Sequence, residues 1–439
     1  MSCSGPTGAF RCEQSGNSGR CSARRTGVRF VIADRVDLRR RGRSARSVRV
    51  VGAVVLLAAV ACGARSGPSA ETPRPEAAGD LAGGRWSELP EPPLSDRVDT
   101  AVVWAGDRLV AWGGATPHID AGAARLDGAT WAPDTGWRSM APAPANRGLA
   151  PGGFAVWTGR EVVLGPIVPE TDDPVAAGLL AYAPTSDRWR RIPLDPVLAA
   201  AFGDATSGFR GVVGIVGQEV VIGWTGGGEG AARQPGRLVA VDPATGRSRP
   251  LDPGPFDASP YTDLSGEVLV TPVGDRLLAV PNWTTEAWLL DPSGGGSWTE
   301  TSPPPVDGLH LNGPVWIDGE AVFPDDSVAF DPAADRWRVL AEPPRELARL
   351  RLDGGTGPIA AGEQAVARGG AYDTRSDVWY SLAPLPIDRE QVLLDAFVGW
   401  TGDSLVVFGG GRYSCPLDAT CEVELTSVDW DQRGWVYRP

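Results

Sequence analysis

Trp400-Thr-Gly-Asp-Ser-Leu-Val-Val-Phe-Gly-Gly410 reads as a strand, a tight turn at Gly402 and a second apolar strand closed by a glycine pair. The phrase returns as Trp104-Ala-Gly-Asp-Arg-Leu-Val, Trp157-Thr-Gly-Arg-Glu-Val-Val, Ile215-Val-Gly-Gln-Glu-Val-Val, Pro272-Val-Gly-Asp-Arg-Leu-Leu, Trp316-Ile-Asp-Gly-Glu-Ala-Val and Ala360-Ala-Gly-Glu-Gln-Ala-Val. One hairpin written seven times makes a repeat protein, in which a unit buries its faces only against its neighbours.

A second phrase follows each hairpin: an apolar or aromatic residue, a short polar turn often opened by Asp-Pro, then tryptophan. It occurs at Trp131–Trp137, Tyr182–Trp189, Val241–Ser248, Leu290–Trp298, Phe330–Trp337, Tyr372–Trp379 and Val428–Trp435, with the tryptophan lost only at Ser248. Asp-Pro and glycine close a turn between a third and a fourth strand, and the indole is large enough to pack between sheets. Each unit is thus expected to be a four-stranded antiparallel meander, with strands A to D.

A glycine pair ending the second strand, an aromatic in the third and a tryptophan at a set distance beyond it together resemble the kelch repeat. The resemblance covers residues 85–439, and the pair is complete at Gly113-Gly114, Gly226-Gly227 and Gly409-Gly410. It implies an all-β fold, a seven-bladed β-propeller like the central domain of galactose oxidase, closed by an N-terminal strand that completes the last blade. The hairpin glycines at 106, 159, 217, 274, 319, 362 and 402 count seven blades. Trp86-Ser-Glu-Leu-Pro-Glu-Pro-Pro matches the D strands at Trp137 and Trp379, so Trp86 and Trp435 compete for the closing position.

Glycine (57) and proline (40) exceed a fifth of the 439 residues, which marks regular turns in a periodic chain. All 41 basic residues are arginines, as codon usage in a GC-rich genome produces. Residues 1–62 hold twelve arginines against Glu13, Asp34 and Asp37, leaving 29 arginines and 51 acids, a net −22, for the remainder. A body so acidic repels a phosphate backbone, and nucleic acid is excluded as a partner.

The N-terminal region reads as an address. Arg39–Arg49 is a basic stretch, and Val50–Ala61 is an apolar run too short to span a bilayer. The run ends at Ala59-Val-Ala-Cys62-Gly63, which resembles the lipobox of bacterial lipoproteins, with Ala59 where that family more often has leucine. The resemblance implies lipidation at Cys62 and a place on the outer face of the cell membrane; ordinary secretion is the alternative. Residues 1–38, with Cys3, Cys12 and Cys21, read as an upstream extension from a start codon assigned too early, residues 39–62 as the signal peptide and 63–84 as a flexible linker. A helical signal appears only at Pro343–Leu352.

Chemistry is expected in the loops. In an A-to-D meander the D–A and B–C connections share one face, and only these are long enough to build a site. The candidate ligand-binding residues there are Arg97, Asp99, Arg147, Arg210, Tyr261, Asp263, His310, Arg389, Arg412 and Tyr413, arginines, acids and aromatics suited to a polar ligand. His118 and His310 are the only histidines, so a copper-radical centre of the galactose-oxidase kind lacks its ligands, and Ser-His-Asp catalysis lacks a nucleophile elbow. Thr225-Gly-Gly-Gly-Glu-Gly230 lacks the Lys-Ser/Thr of a phosphate loop, and Asp172-Asp173 and Asp325-Asp326 lack the alternation of a calcium loop. No cofactor, metal or catalytic residue is predicted.

Cys415 and Cys421 bracket five residues in the last B–C connection, and in an oxidising compartment they are expected to pair. The expected whole is a monomeric binding or scaffold module for a cell-surface protein or carbohydrate, held to the membrane by its lipid alone. The competing class is a cell-envelope enzyme acting on a carbohydrate-like substrate at the channel mouth.

Overall fold

The recurring tryptophan is a clasp. In the computed structural model, the Nε1–H of the D-strand indole donates to a main-chain carbonyl just beyond the D strand of the preceding blade. The bonds are Trp86 to Ala383 (2.8 Å), Trp137 to Pro90 (2.7 Å), Trp189 to Ala141 (2.8 Å), Trp298 to Asp252 (2.8 Å), Trp337 to Ser302 (2.7 Å) and Trp379 to Ala341 (2.8 Å). Where the tryptophan is lost, Ser248 Oγ donates instead to the Asp195 carboxylate, so every seam keeps a polar tie. An indole N–H drawn into a seam needs an acceptor, and for these six tryptophans that acceptor belongs to the neighbour.

The structure describes residues 81–117, 123–145, 148–167, 178–193, 195, 211–224, 237–252, 254, 268–281, 285–306, 308–309, 313–344, 347, 352–353, 357–388, 390–415 and 427–439. They form seven four-stranded antiparallel sheets of a β-propeller, plus one smaller sheet. Blade 1 comprises Ala101–Trp104, Leu109–Trp112, Gly128–Ala132 and Gly136–Ser139, and blades 2 to 6 repeat this order along the chain. Blade 7 takes its A and B strands from Phe397–Trp400 and Leu405–Phe408, its C strand from Gly434–Arg438 and its D strand from Arg85–Glu88.

That pairing resolves the competition at the ring's end. The first apolar residue of each B strand lies opposite the C-strand apolar residue, as in Leu109↔Trp131, Val162↔Tyr182 and Ala365↔Tyr372, and in blade 7 Leu405 faces Tyr437. Tyr437 faces Trp86 as Tyr372 faces Trp379, with ring centroids 5.0 Å and 5.3 Å apart. Trp86 is therefore the D-strand tryptophan, and Trp435 is a third-strand residue. The phrase Val428–Trp435 that mimics the repeat is out of phase, since its third-strand position, Val428, is taken in the structure by Tyr437. The linker also ends earlier than its composition suggests: Leu81 is buried, and its carbonyl accepts from the Tyr437 hydroxyl at 2.7 Å.

Apolar clusters fill all seven seams. Blades 1 and 2 meet through Val110, Trp112, Leu164 and Tyr182, blades 2 and 3 through Val163, Leu179 and Ile222, and blades 3 and 4 through Val221, Leu277 and Trp298. Phe323 and Leu278 join blades 4 and 5, Val322 and Tyr372 blades 5 and 6, and Val366 and Leu405 blades 6 and 7. Leu109, Trp131, Val406 and Phe408 join blade 7 to blade 1 and complete the ring. Burial of this kind is worth about 1.5–3 kcal/mol per large apolar side chain.

The face carrying the A–B and C–D turns is occupied by its own polar ties. Asp187, Asp335 and Asp377 in the C–D turns of blades 2, 5 and 6 adopt φ of 50°, 47° and 56°. Each carboxylate accepts the N–H of the very residue whose carbonyl takes the indole, at Ala141 (2.9 Å), Ser302 (2.9 Å) and Ala341 (2.8 Å). Arginines reach the other way, Arg190 to Pro243 O (2.9 Å) and Arg276 to Pro332 O (3.0 Å). Arg190 and Arg338 are forked by Glu161 and Glu320 at the start of the B strands, with shortest contacts of 2.6 Å, and Arg249 by Glu219 in the same way. The guanidinium geometry is used, where a lysine would offer no fork.

Candidate binding face

On the opposite face the glycine pair sets the geometry. Gly113 and Gly114 have φ of 77° and 91°, Gly409 and Gly410 of 70° and 88°, a region that a side chain disfavours. A Cβ on Gly114 would stand 2.5 Å from Val98 O, and one on Gly410 2.6 Å from Leu394 O. The pair therefore lets the end of the B strand press against the D–A connection just before it enters the innermost strand. At that point each connection carries a left-handed aspartate, Asp99 (φ 54°) in blade 1 and Asp395 (φ 56°) in blade 7. Asp99-Thr-Ala-Val-Val-Trp and Asp395-Ala-Phe-Val-Gly-Trp are the same position of the repeat.

Asp99 behaves as a residue of a concavity. Its side chain reaches solvent, yet protein crowds it and strips part of its hydration, and this desolvation raises the carboxyl above its ordinary value of 3.8. The carboxylate thus sits two residues before the innermost strand of blade 1, where loss of hydration disfavours its charged form.

Arg97, two residues earlier, is placed differently from expectation: it is 1% exposed. Nε donates to Ser95 O (2.9 Å), Nη1 to Gly113 O (3.1 Å) and to Asp127 Oδ1 (3.2 Å), and Nη2 to Asp127 Oδ2 (3.0 Å). Partial burial works to raise the Asp127 carboxyl, but the Arg97 fork outweighs it and holds that group below the usual range. Arg97 is thus the bolt between the blade 7–1 connection and the first B–C loop, and its donors face protein. Gln432 extends the bolt: its Nε2 donates to Arg97 O at 3.2 Å from the far side of the seam.

The segment beginning at Arg412, expected as a loop, starts as a strand. Leu352–Asp353, Gln391–Leu394, Gly411–Ser414 and Asp429–Trp430 form an eighth sheet, assembled from the connections of blades 5 to 7 and outside the repeat. The Leu352–Asp353 strand runs parallel to Gln391–Leu394, and the other pairs are antiparallel. Its apolar side holds Leu394, Tyr413, Val428 and Trp430, with Val98 of the blade 7–1 connection against it. Tyr413 is 7% exposed and belongs to this small core, not to an open binding surface. Leu352, the end of the stretch read as helical, is in this sheet; most of that stretch lies outside the described residues.

Arg412 is mostly covered and ties the sheet together. Its Nη2 contacts Asp429 Oδ2 and Asp431 Oδ2, each at 2.7 Å, and Asp431 in turn holds Arg433 at 2.8 Å. The structure therefore gathers Asp99, Asp395 and the Arg412 chain around the blade 7–1 seam. Asp127, Asp395, Asp429, Asp431 and Gln432 were not singled out by the sequence, although Asp395 could have been, by aligning its repeat on Asp99. Arg147, Arg210, Tyr261, Asp263, His310, Arg389, Cys62 and Cys421 lie outside the described residues. Cys415 is at the edge of the small core, its N–H bonded to Glu390 O at 2.7 Å.

Among the described residues no three acids, histidines or cysteines gather in a way that suits a metal ion. A cavity of about 130 Å³ lies elsewhere, between blades 3 and 4, lined by Leu251, Asp252, Asp291 and Gly296. No protein-family model and no curated protein matches the sequence. Among solved structures, one titled "Structure of YjhT" is similar at 12% identity and a TM-score of 0.34, covering 73% of this chain and 92% of that one. The blade architecture stands on the strand pairing alone.

Proposed function

We propose that this chain is an exported, lipid-anchored propeller of the kelch type, serving as a binding or scaffold module at the outer face of the cell membrane. One observation carries the reading. The repeated chemistry, indoles, left-handed turn aspartates and forked arginines, is spent on blade-to-blade ties, while the opposite face carries a non-repeating sheet beside the Asp99 and Asp395 positions. A rigid ring that concentrates its irregular features on one face suits presentation of a binding surface. Its ligand is a polar one, a cell-surface protein or a carbohydrate, and the contact includes Asp99, with Arg412 holding the neighbouring sheet in place. Cys415 and Cys421 form a disulfide in the connection between the Gly411–Ser414 and Asp429–Trp430 strands. The lipid on Cys62 supplies the membrane attachment, with about twenty residues of linker between anchor and ring.

The test is a crosslinked pull-down from the envelope of the producing cell, comparing wild type with Asp99→Arg and with Cys62→Ser. The expected result is a partner or glycan captured by wild type and lost with Asp99→Arg, while Cys62→Ser moves the protein out of the membrane fraction. Equal capture by wild type and Asp99→Arg would remove the mouth from the binding surface. A Cys62→Ser protein that stays in the membrane fraction would refute the anchor.

A further inference from the structure

Outer strands of propeller blades are open sheet edges, and such edges pair with other chains unless something prevents it. Here charged residues, most often arginine, are the guard. The outer strands read Arg-Trp-Ser-Glu in blade 7, Gly-Trp-Arg-Ser in blade 1, Arg-Trp-Arg-Arg-Ile in blade 2, Ser-Arg-Pro-Leu in blade 3, Thr-Glu in blade 4 and Arg-Trp-Arg-Val in blade 5. Blade 6 reads Val378-Trp-Tyr-Ser381, alone among the seven in having no charged residue, and Val378 is 42% exposed.

We infer that this edge is a self-association site, where the blade 6 outer strand pairs antiparallel with the same strand of a second copy. The register argues for a copy of this chain. Leu382 N–H donates inward to Gly369 O at 3.1 Å, so by alternation Tyr380 and Val378 also point their main-chain groups inward, while those of Trp379 and Ser381 point outward. A two-fold axis through Tyr380 then places Trp379 of each copy opposite Ser381 of the other in hydrogen-bonded pairs. Tyr380 meets its own counterpart across the axis as a close, non-hydrogen-bonded pair. This is an isologous contact, complementary to itself. The same axis on other blades sets Arg138, Arg190, Arg249 or Arg338 against its own copy, charged side chains of the kind that blunt a sheet edge. The tyrosine is there because blade 6 has no use for the arginine: Glu363, the counterpart of Glu161 and Glu320, is held by Arg375 at 2.5 Å instead.

A four-residue edge is small beside a stable dimer interface, and the acidic body repels its copy, so the pairing is weak in dilute solution and strengthened by salt. Confinement on a membrane raises the effective concentration that such a contact needs.

The test uses the full chain, purified in detergent, and sedimentation over a wide concentration range at low and high salt. Wild type is expected to dimerise as concentration and salt rise. Tyr380→Arg, which restores the guard found on four other blades, should stay monomeric with an unchanged melting temperature. If that variant fails to fold, Ser381→Pro, which removes an outward N–H the blade does not use, carries the same expectation. Tyr380→Cys should crosslink to its own copy under mild oxidation, since directly opposed non-hydrogen-bonded residues stand about 4.5 Å apart. A wild type that stays monomeric throughout, or a dimer that survives Tyr380→Arg or Ser381→Pro, overturns the inference.

Discussion

Asp377 and Asp99 have the same unusual backbone, φ 56° and 54°, and opposite circumstances. Asp377, on the turn face, accepts from the Tyr372 hydroxyl and the Ala341 N–H, and these bonds, the hydroxyl first, hold its carboxyl below 3.8. Asp99, on the loop face, has its carboxyl raised by desolvation alone. The left-handed aspartate is thus one device with two uses. On one face its charge is consumed in holding blades together, and on the other it is held out at some cost to the fold. The difference separates architecture from candidate function more sharply than residue type does.

The largest effect should come from breaking the architecture at its joint. Deleting residues 81–88 removes the D strand of blade 7, the Trp86 clasp and the Leu81 contact, and should abolish the cooperative thermal transition or lower its midpoint by more than about 10 °C, read by circular dichroism. A synthetic peptide of residues 81–94 added in trans should recover part of the loss. Next in size is Trp189→Ala, which removes a seam indole and its bond to Ala141 and should cost about 3–5 kcal/mol in denaturant unfolding. A smaller cost, below about 1 kcal/mol, would mean that the seams are held by the aliphatic clusters and that the clasp is incidental.

The two aspartates then give effects of opposite sign. Asp377→Asn should destabilise by about 1 kcal/mol at neutral pH. Because the folded carboxyl lies below its unfolded value of 3.8, its contribution is complete above that value and is lost as pH falls through the folded pKa. The substitution should therefore flatten the acid limb of the stability curve. Asp99→Asn should change stability by less than about 0.5 kcal/mol and in the stabilising direction. Its folded carboxyl lies above 3.8, so the penalty on the charged form is absent at low pH and grows as pH rises from 3.8 through the folded pKa. Stability of the variant should gain on wild type over that window. If both substitutions destabilise alike, the two faces are not distinguished by charge.

The fold was legible because its repeats are short-range: hairpin, glycine pair and turn-tryptophan phrase each sit within a few residues, and their phase counts the blades. The last blade misled because Val428-Asp-Trp-Asp-Gln-Arg-Gly-Trp435 carries the residues of the phrase, and only register shows that Tyr437 is the third-strand aromatic. The candidate site was less legible for a related reason. Arg97 and Asp99 look equally polar in the sequence, but Gly113 O and Asp127, which bury the guanidinium, arrive from the next hairpin and its loop. Tyr413 was hidden likewise, since its small core draws on Leu394 from one distant segment and on Val428 and Trp430 from another. What loops bring together from a distance leaves no local pattern to read.

Pairing of Ser87 with Val436 spans 349 residues, and it imposes an order on assembly. The strand that finishes the ring is the first to leave the ribosome, or the export channel, and has nowhere to go until the last five residues of sheet have followed it. Until then six blades can zip along the chain while the seventh lacks its rim, with the Tyr437 ring uncovered and Leu81 without its pocket. Ring closure is thus a search by two segments far apart in the sequence, one of which is tethered if Cys62 is lipidated. Tethering confines that search, so the same attachment that fixes the molecule's place would also shorten the time it spends open.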